Sequence, residues 1–294
     1  MANRRKYIKT KIFLTGSTGY VGTKFIELYG AQFDILGVSK TDKEHPVDLL
    51  KYETLKELFV SFKPDFILHL AADVGRDTTT SNEITITNPT ITENLIKLAL
   101  VNKTPFLFTS TEAVYGGKEK KGEYIETNKY KPRNPYGASK VASEKLVMMS
   151  GLPYLITRGH RHVGVSKDFH KPKQFSDALH SLMNGREIHL DARKLFTPVL
   201  INNICDIFAH YIANDFDRKI LINVGVNKST TFYNFMVDVA KALKINDNLI
   251  KADGEETGWP PNSTISVKKL HKLHYPSVTY QEMLNTIKVD LDKA

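Results

Sequence analysis

Tyr136 and Lys140 stand four residues apart in Tyr136-Gly137-Ala138-Ser139-Lys140, a spacing that sets a phenol and an ammonium on one face of a helix. A phenol ordinarily ionises near pH ~10, and a neighbouring positive charge favours its anion. Lys140 is therefore expected to bring Tyr136 toward physiological pH for proton transfer. Upstream, residues 108–116 read Phe-Thr-Ser-Thr-Glu-Ala-Val-Tyr-Gly. They begin at the end of an apolar run, where open α/β sheets bind ligands, and a hydroxyl there can hold a substrate oxygen toward Tyr136. Each signal alone has a plainer reading. Tyr-x-x-x-Lys also occurs as a surface pair on a helix, and a Ser/Thr run also forms the turn that ends a strand.

Near the start, Thr15-Gly16-Ser17-Thr18-Gly19-Tyr20-Val21-Gly22 lies between an apolar run and an amphipathic one. Glycines at this place let the backbone turn sharply and approach a pyrophosphate, and the helix that follows presents its N–H groups. Gly16, Gly19 and Gly22, with Thr18, Tyr20 and Val21 between and beside them, thus read as a dinucleotide loop of G-x-x-G-x-x-G spacing. An oxidised nicotinamide would add its charge to that of Lys140. NAD binders carry an acidic side chain about 20 residues past the glycines. Here the stretch is Gly37-Val38-Ser39-Lys40, and a hydroxyl with an ammonium suits a 2′-phosphate. NADP(H) is the expected cofactor, with NAD(H) the alternative. Asp48 and Leu49 are expected beside the adenine, and Leu70, Ala71 and Ala72 offer small residues for close backbone approach.

The elements that must position these groups alternate. Strands are expected at 11–14, 33–38, 66–70, 105–109 and 153–157, with helices at 21–29, 55–62, 88–101 and 139–149. Strands spaced by helices imply βαβ units and a parallel sheet covered on both faces. After about residue 160 the rhythm changes: a His- and Lys-rich loop (160–173), a helix (174–183), a strand (187–190), a strand (220–224), a helix (231–243) and an irregular stretch (253–264). The expected fold is α/β, a Rossmann-type doubly wound parallel sheet with a smaller C-terminal substrate-binding lobe. Residues 1–160 form the dinucleotide-binding domain; 161–294 form mainly the lobe, with segments returning to the core.

The 294 residues, 41% hydrophobic and 25% charged, are those of an ordinary globular protein able to bury a full core. A single cysteine, Cys205, excludes an intrachain disulfide and a Cys-rich metal site, which fits a reducing compartment. The basic N-terminus is followed by no apolar h-region, and no apolar run approaches a membrane span, so a cytoplasmic location is expected. The net charge of +9 is spread over scattered lysines rather than gathered in a basic stripe with aromatics, which argues against a nucleic-acid partner.

Taken together, the glycine loop, Leu68-His69-Leu70-Ala71-Ala72, the Ser110/Thr111 segment ending in Val114-Tyr115-Gly116, and Tyr136-Gly-Ala-Ser-Lys140 resemble the extended short-chain dehydrogenases. That is the NAD-dependent epimerase/dehydratase superfamily, which acts on nucleotide-activated sugars. Asn88, Asn94, Tyr124, Glu126, Asn134 and Glu144 also fall into its pattern. The resemblance is strong over residues 11–158 and continues weakly through Phe196-Thr197-Pro198-Val199 and 261–269. It implies Thr111 as the catalytic hydroxyl, Tyr136 as the acid/base, and Lys140 as the residue that binds the nicotinamide ribose and tunes the tyrosine. It also implies a substrate pocket including Thr111, Glu112, Tyr136, Arg158 and His160, no metal, and a homodimer through the helices at 88–101 and 139–149.

Sugar 4,6-dehydratases follow the threonine with an Asp acid and a Glu base, whereas this chain has Glu112 and then Ala113. Ser110-Thr111-Glu112 is more similar to the dTDP-4-dehydrorhamnose reductases. The resemblance thus implies an NAD(P)H-dependent reductase of a nucleotide-activated 4-keto-6-deoxy sugar. Two alternatives stand beside it: a nucleotide-sugar 4-epimerase that keeps its NAD, and a non-catalytic cofactor-binding regulatory protein. The segment Gly159-His160-Arg161-His162-Val163-Gly164 departs from the reductases, which carry an aromatic and a Tyr/Phe-Gly there. His160 and His162 are candidates for diphosphate contact, with a solvated loop the alternative.

Overall fold

The short apolar runs between amphipathic stretches become buried parallel strands. The structure, a computed structural model, describes residues 9–44, 46–74, 81–118, 122–167, 174–253 and 261–293. The first half runs β1 (Lys11–Thr15), α1 (Tyr20–Tyr29), β2 (Asp34–Val38), α2 (Tyr52–Phe62), β3 (Phe66–His69), α3 (Ser81–Asn102), β4 (Phe106–Thr111), α4 (Pro135–Met149) and β5 (Tyr154–Gly159). Next come β6 (His162–Val163), α5 (Gln174–Met183), β7 (Ile188–Asp191), β8 (Leu195–Phe196), β9 (Val199–Leu200) and α6 (Ile201–Asn214). The chain then continues with β10 (Lys219–Asn223), β11 (Thr230–Thr231), α7 (Phe232–Leu243), β12 (Ile250–Asp253), α8 (Lys268–Lys272) and α9 (Tyr280–Leu291).

Six strands form one parallel sheet in the order β2-β1-β3-β4-β5-β10. Outside β2, a single parallel bridge between Ser39 and Pro46 extends the edge. The chain goes from β1 outward to β2, then returns across β1 to β3, so strand order reverses between β1 and β3. Ligands of doubly wound sheets bind in the crevice at that reversal, outside the carboxyl ends of the strands. Register brings those ends level: Thr15 lies opposite Val38 and His69, and Thr111 opposite Gly159. Gly16, Ser39, Leu70, Glu112 and His160 therefore leave the sheet side by side.

Two apolar layers clamp the sheet. On one face, Phe25 of α1 meets Phe33 and Phe208 of α6, with ring centroids 6.1 and 6.3 Å away. On the other, α2, α3 and α4 bury Leu55, Phe59, Leu95, Leu98 and Val147. Each such side chain, fully buried, contributes about 1.5–3 kcal/mol. A further cluster joins α5, α7, α9, β7 and β12 through Phe175, Leu179, Phe235, Met236 and Met283.

Several elements differ from the sequence reading. α3 starts at Ser81 rather than 88 and carries Pro89 inside it, where a proline would ordinarily mark a first turn. α4 starts at Pro135 rather than 139, because Asn134 caps it by accepting from the Gly137 N–H at 2.6 Å. The reading foresaw neither α6, which packs on α1, nor α9. The expected loop at 160–173 contains β6, and its residues 168–173 lie outside the described residues, as do 254–260 of the expected irregular stretch. No helix among the described residues is long and apolar enough to cross a membrane.

Candidate active site

A cleft of about 900 Å³ opens at the carboxyl ends of the strands and runs from the glycine loop to α7. Gly16 (φ 75°) turns the chain out of β1, and its N–H donates to Val38 O at 2.9 Å. A Cβ on Gly16 would fall 2.8 Å from Ala71 N, and one on Gly22 would fall 2.2 Å from Gly16 O. Only glycine fits at both positions. Gly19 precedes α1 without a side-chain cap, and the first turn of α1 has no acidic residue. The first N–H groups of α1 therefore face the cleft without a side-chain partner from the cap, as a pyrophosphate requires. Thr18, Tyr20, Val21, Leu49, Leu70, Ala71 and Ala72 all line this part of the cleft. Tyr20 also donates its hydroxyl to Gly164 O, tying the loop to the far wall.

At the outer end, Thr18 Oγ1 lies 2.8 Å from both Ser39 Oγ and Thr41 Oγ1. Ser39 is buried; Lys40 extends into solvent with Nζ 3.9 Å from the Asp48 carboxylate. Asp48 lies in a separate depression with Pro46, Val47, Lys51 and Thr54, not among the residues lining the main cleft. Its carboxylate faces Lys40 and accepts from the Leu50 N–H. The sequence reading also missed Asp42, whose carboxylate accepts from Ser17 Oγ at 2.6 Å behind the glycine loop. It stands 20 residues past Gly22, two beyond Lys40, where the stretch searched for an acidic side chain ended.

Tyr136 and Lys140 share the inner face of α4 and line the cleft beside Thr109, Ser110 and Thr111. The Lys140 ammonium is buried, 4.3 Å from the Phe108 ring centroid and 6.0 Å from that of Tyr136. Burial lowers the Lys140 pKa to about 7, against an opposing pull from Glu144. The protein groups around Tyr136 act in the opposite direction from the expectation, which also counted the charge of an oxidised nicotinamide. Burial, reinforced by the Glu112 charge, pushes the phenol well above its ordinary range. At the end of β3, His69 is kept neutral by burial and by Lys140. It bridges Thr15 Oγ1 (2.8 Å) and Thr92 Oγ1 (3.3 Å), and Asn88 joins the Asp73 backbone to Ser139 Oγ (3.0 Å). These bonds tie α3 to the ends of β1 and β3 and to α4.

Thr111 Oγ1 donates to Glu112 Oε2 at 2.8 Å and accepts from the Ala113 N–H. Glu112 Oε1 lies 3.1 Å from His160 Nδ1. Burial works to raise the Glu112 pKa, but His160, Thr111 and Lys194 outweigh it and hold the carboxyl below its ordinary range. His160 lines the cleft, its ring edge-on to Phe196 at 6.2 Å.

Arg158 does not reach the cleft, contrary to its expected role with substrate. Its Nε donates to Glu144, Nη1 to Tyr115 Oη and Glu126 O, and Nη2 to Tyr130 Oη and Glu144 at 2.6 Å. All five N–H donors are committed inside the protein. An arginine that does line the cleft is Arg161, at φ 49°, stacked 4.2 Å from the Phe232 ring centroid. Its Nη1 is buried with no hydrogen-bond partner among the described residues. Gln174, Phe175 and Phe232 join it from α5 and α7. No local spacing in the sequence points to these four, because only the fold brings them to the strand ends. Among the described residues, no group of three or more His, Cys, Asp or Glu is placed to hold a metal ion.

A profile described as the NAD dependent epimerase/dehydratase family matches residues 12–225. The chain is 29% identical over 198 residues to a protein named probable dTDP-glucose 4,6-dehydratase from Sinorhizobium fredii, a match covering 56% of each chain. It is 28% identical over 229 residues to GDP-6-deoxy-D-talose 4-dehydrogenase from Aggregatibacter actinomycetemcomitans, covering 75% of this chain and 74% of that one. The match thus spans little more than half the length of the dehydratase relative. A crystal structure of dTDP-4-dehydrorhamnose reductase from Bacillus anthracis, in complex with NADP, superposes with a TM-score of 0.85. That match covers 96% of this chain and 100% of the other at 19% identity, a likeness of fold.

Proposed function

Because the chain belongs to the NAD-dependent epimerase/dehydratase family, we propose that it is an NAD(P)H-dependent reductase of a nucleotide-activated 4-keto-6-deoxy sugar. The observation that carries this reading is geometric: Tyr136, Lys140 and Thr111 line the same cleft as the glycine cradle. Reduction of a ketone needs a proton donor for the new alkoxide, and a phenol of raised pKa stays loaded at neutral pH.

Gly16, Gly19 and Gly22 fit a dinucleotide, since a Cβ on Gly16 or Gly22 would collide with neighbouring backbone. The bound nicotinamide supplies hydride to the carbonyl carbon. Thr18, Ser39 and Lys40 would receive a 2′-phosphate, which favours NADP(H). Lys140 would hold the nicotinamide ribose, and Tyr136 would pass its proton to the substrate oxygen. Thr111 would polarise that oxygen by exchanging its donation to Glu112 for one to the substrate. Arg161, which lines the cleft, would hold the substrate diphosphate. Ala113 follows Glu112 and leaves no second carboxylate there, which favours reduction over elimination of water.

The test is NADPH oxidation against a panel of nucleotide 4-keto-6-deoxy sugars. Tyr136→Phe should lose about 100-fold or more of turnover while keeping its affinity for NADPH. Unchanged turnover would refute the assignment. Cofactor that co-purifies and never exchanges would point to the 4-epimerase instead, and cofactor binding without turnover to a regulatory protein.

A further inference from the structure

Tyr20, Lys24 and Glu27 stand at helical spacing and share one face of α1. All three bond to chain beyond residue 160. The Tyr20 hydroxyl donates to Gly164 O. The buried Lys24 ammonium donates to Asp290 of α9 at 2.8 Å, and that carboxylate also accepts from Asn202 Nδ2 at 3.0 Å. Glu27 accepts from Lys24 at 2.9 Å through one oxygen and from the Lys167 N–H at 3.2 Å through the other. Tyr20 is set apart from the other two because it faces both halves of the pocket. It is the first residue of α1, directly after Gly19 at the head of the glycine cradle, and it lines the cleft. Its hydroxyl ends on Gly164, which follows Arg161, His162 and Val163 of the far wall. Gly164 is itself held in place: φ is 138°, and a Cβ there would fall 2.7 Å from Ile201 Cγ1 of α6.

We propose that Tyr20 is a positioning residue that couples the two ligands of the cleft, so that cofactor at the head of α1 tightens binding of the substrate's nucleoside diphosphate beside Arg161. The inference rests on the nucleotide-sugar reading above for the identity of the second ligand. A dinucleotide held by the first N–H groups of α1 fixes the Tyr20 main chain. The hydroxyl then holds the Gly164 carbonyl, and with it the segment that places Arg161 and His162. Whichever ligand arrives first orders this connection, and the second binds to a wall already set. The coupling is reciprocal, because the factor by which cofactor tightens the diphosphate equals the factor by which the diphosphate tightens cofactor. Tyr20→Phe keeps the ring and removes only the donor to the Gly164 carbonyl, while Lys24 and Glu27 still hold the lobe on α1. Tyr29 is the matched control. It lies on the same helix, but its hydroxyl donates to Asp206 of α6 at 2.6 Å and not to the segment that carries Arg161.

The full-length protein is titrated by calorimetry with thymidine, uridine and guanosine diphosphate, each with and without saturating NADP⁺ or NAD⁺. The quantity read is the ratio of the dissociation constants without and with cofactor. Wild type should bind at least one diphosphate about 5-fold or more tightly with cofactor present, and the reverse titration should return the same factor. Tyr20→Phe should bring the ratio to about 1, and Tyr29→Phe should keep the wild-type ratio. In wild type, cofactor alone should also slow amide hydrogen exchange across residues 161–167, which needs no variant. A wild-type ratio of about 1, or one that Tyr20→Phe leaves intact, overturns the inference while leaving the nucleotide-sugar reading standing. So does a Tyr29→Phe ratio that falls as far as that of Tyr20→Phe, which marks a general loosening of α1. Unchanged exchange across 161–167 likewise overturns it. Diphosphates that bind neither with nor without cofactor overturn both readings.

Discussion

Lys140 carries a charge that the folded protein holds at a cost. Its pKa is about 7 in the fold, against 10.5 for an ordinary lysine, because burial strips the ammonium of water. Between these values the unfolded chain binds a proton that the folded chain has released, so stability rises with pH across that window. Below it both states are protonated and the full cost of burial remains. Urea midpoints measured from pH 7 to pH 10 should therefore climb for wild type, and Lys140→Met should flatten the climb. At the other end of the cleft, Lys40 Nζ is exposed and only loosely paired with Asp48 at 3.9 Å. If it receives a 2′-phosphate, Lys40→Ala should weaken NADPH about 5- to 10-fold, in line with one exposed charge contact, and leave NADH nearly unchanged. Equal loss for both cofactors, read by fluorescence titration, would refute that placement. That the glycine loop, Thr111, Tyr136 and Lys140 meet in one cleft was legible, because their placement depends on spacing within one turn or loop. Arg158 was not, since nothing local reveals that Glu144, Tyr115, Tyr130 and Glu126 consume its donors. The direction of the Tyr136 shift was also hidden: spacing showed the lysine four residues on, but burial and the charge of Glu112 prevail.

Among the elements, α4 has the most to hold in place. Asn134 and Pro135 start it, Tyr136 and Lys140 project from its first turns, and Glu144 anchors it to β5 through Arg158. Glu144 and Arg158 are 0% and 1% exposed, and Ser110 and Tyr130 also donate to the carboxylate. A buried pair of this kind adds little over an apolar packing, but removing one partner strands the other. Glu144→Gln should therefore destabilise the protein by about 3–5 kcal/mol, read by chemical denaturation. A loss below about 1 kcal/mol would mean that the pair is solvated as surface pairs are. The missed helices show two different failures. α6 follows β9 directly, its N-cap Leu200 makes no side-chain bond, and no punctuation separates strand from helix. α9 does carry a signal, a capping box in which Thr279 and Glu282 satisfy each other's backbone, and this could have been read.

For the whole molecule, the alternation of strands and helices was enough to give the parallel sheet, because each βαβ unit is a local pattern with one favoured hand. What joins the far half to the site was not local: β10 pairs with β5, and α5 and α7 bring Phe175 and Phe232 to a cleft built by residues far away in sequence. The same long-range view bears on assembly. α3 and α4 pack side by side, and together they expose Ile86 (67%), Leu100 (48%), Val101 (78%) and Met149 (83%). On α3, helical spacing places Ile86, Leu100 and Val101 along one stripe, interrupted by the Glu93–Lys97 pair at 2.9 Å. Apolar side chains left this open on two adjacent helices are the kind of face that a second copy covers, and a stable pairing would bury about 1,600 Å² in total. A two-fold arrangement would set each stripe against its own copy, so one substitution acts twice per dimer. Light scattering should accordingly give twice the mass of the 294-residue chain. Val101→Glu combined with Met149→Glu should halve that mass without lowering affinity for NADPH, since neither residue is among those lining the cleft. A monomeric wild type, or a double variant that remains dimeric, would place the contact elsewhere.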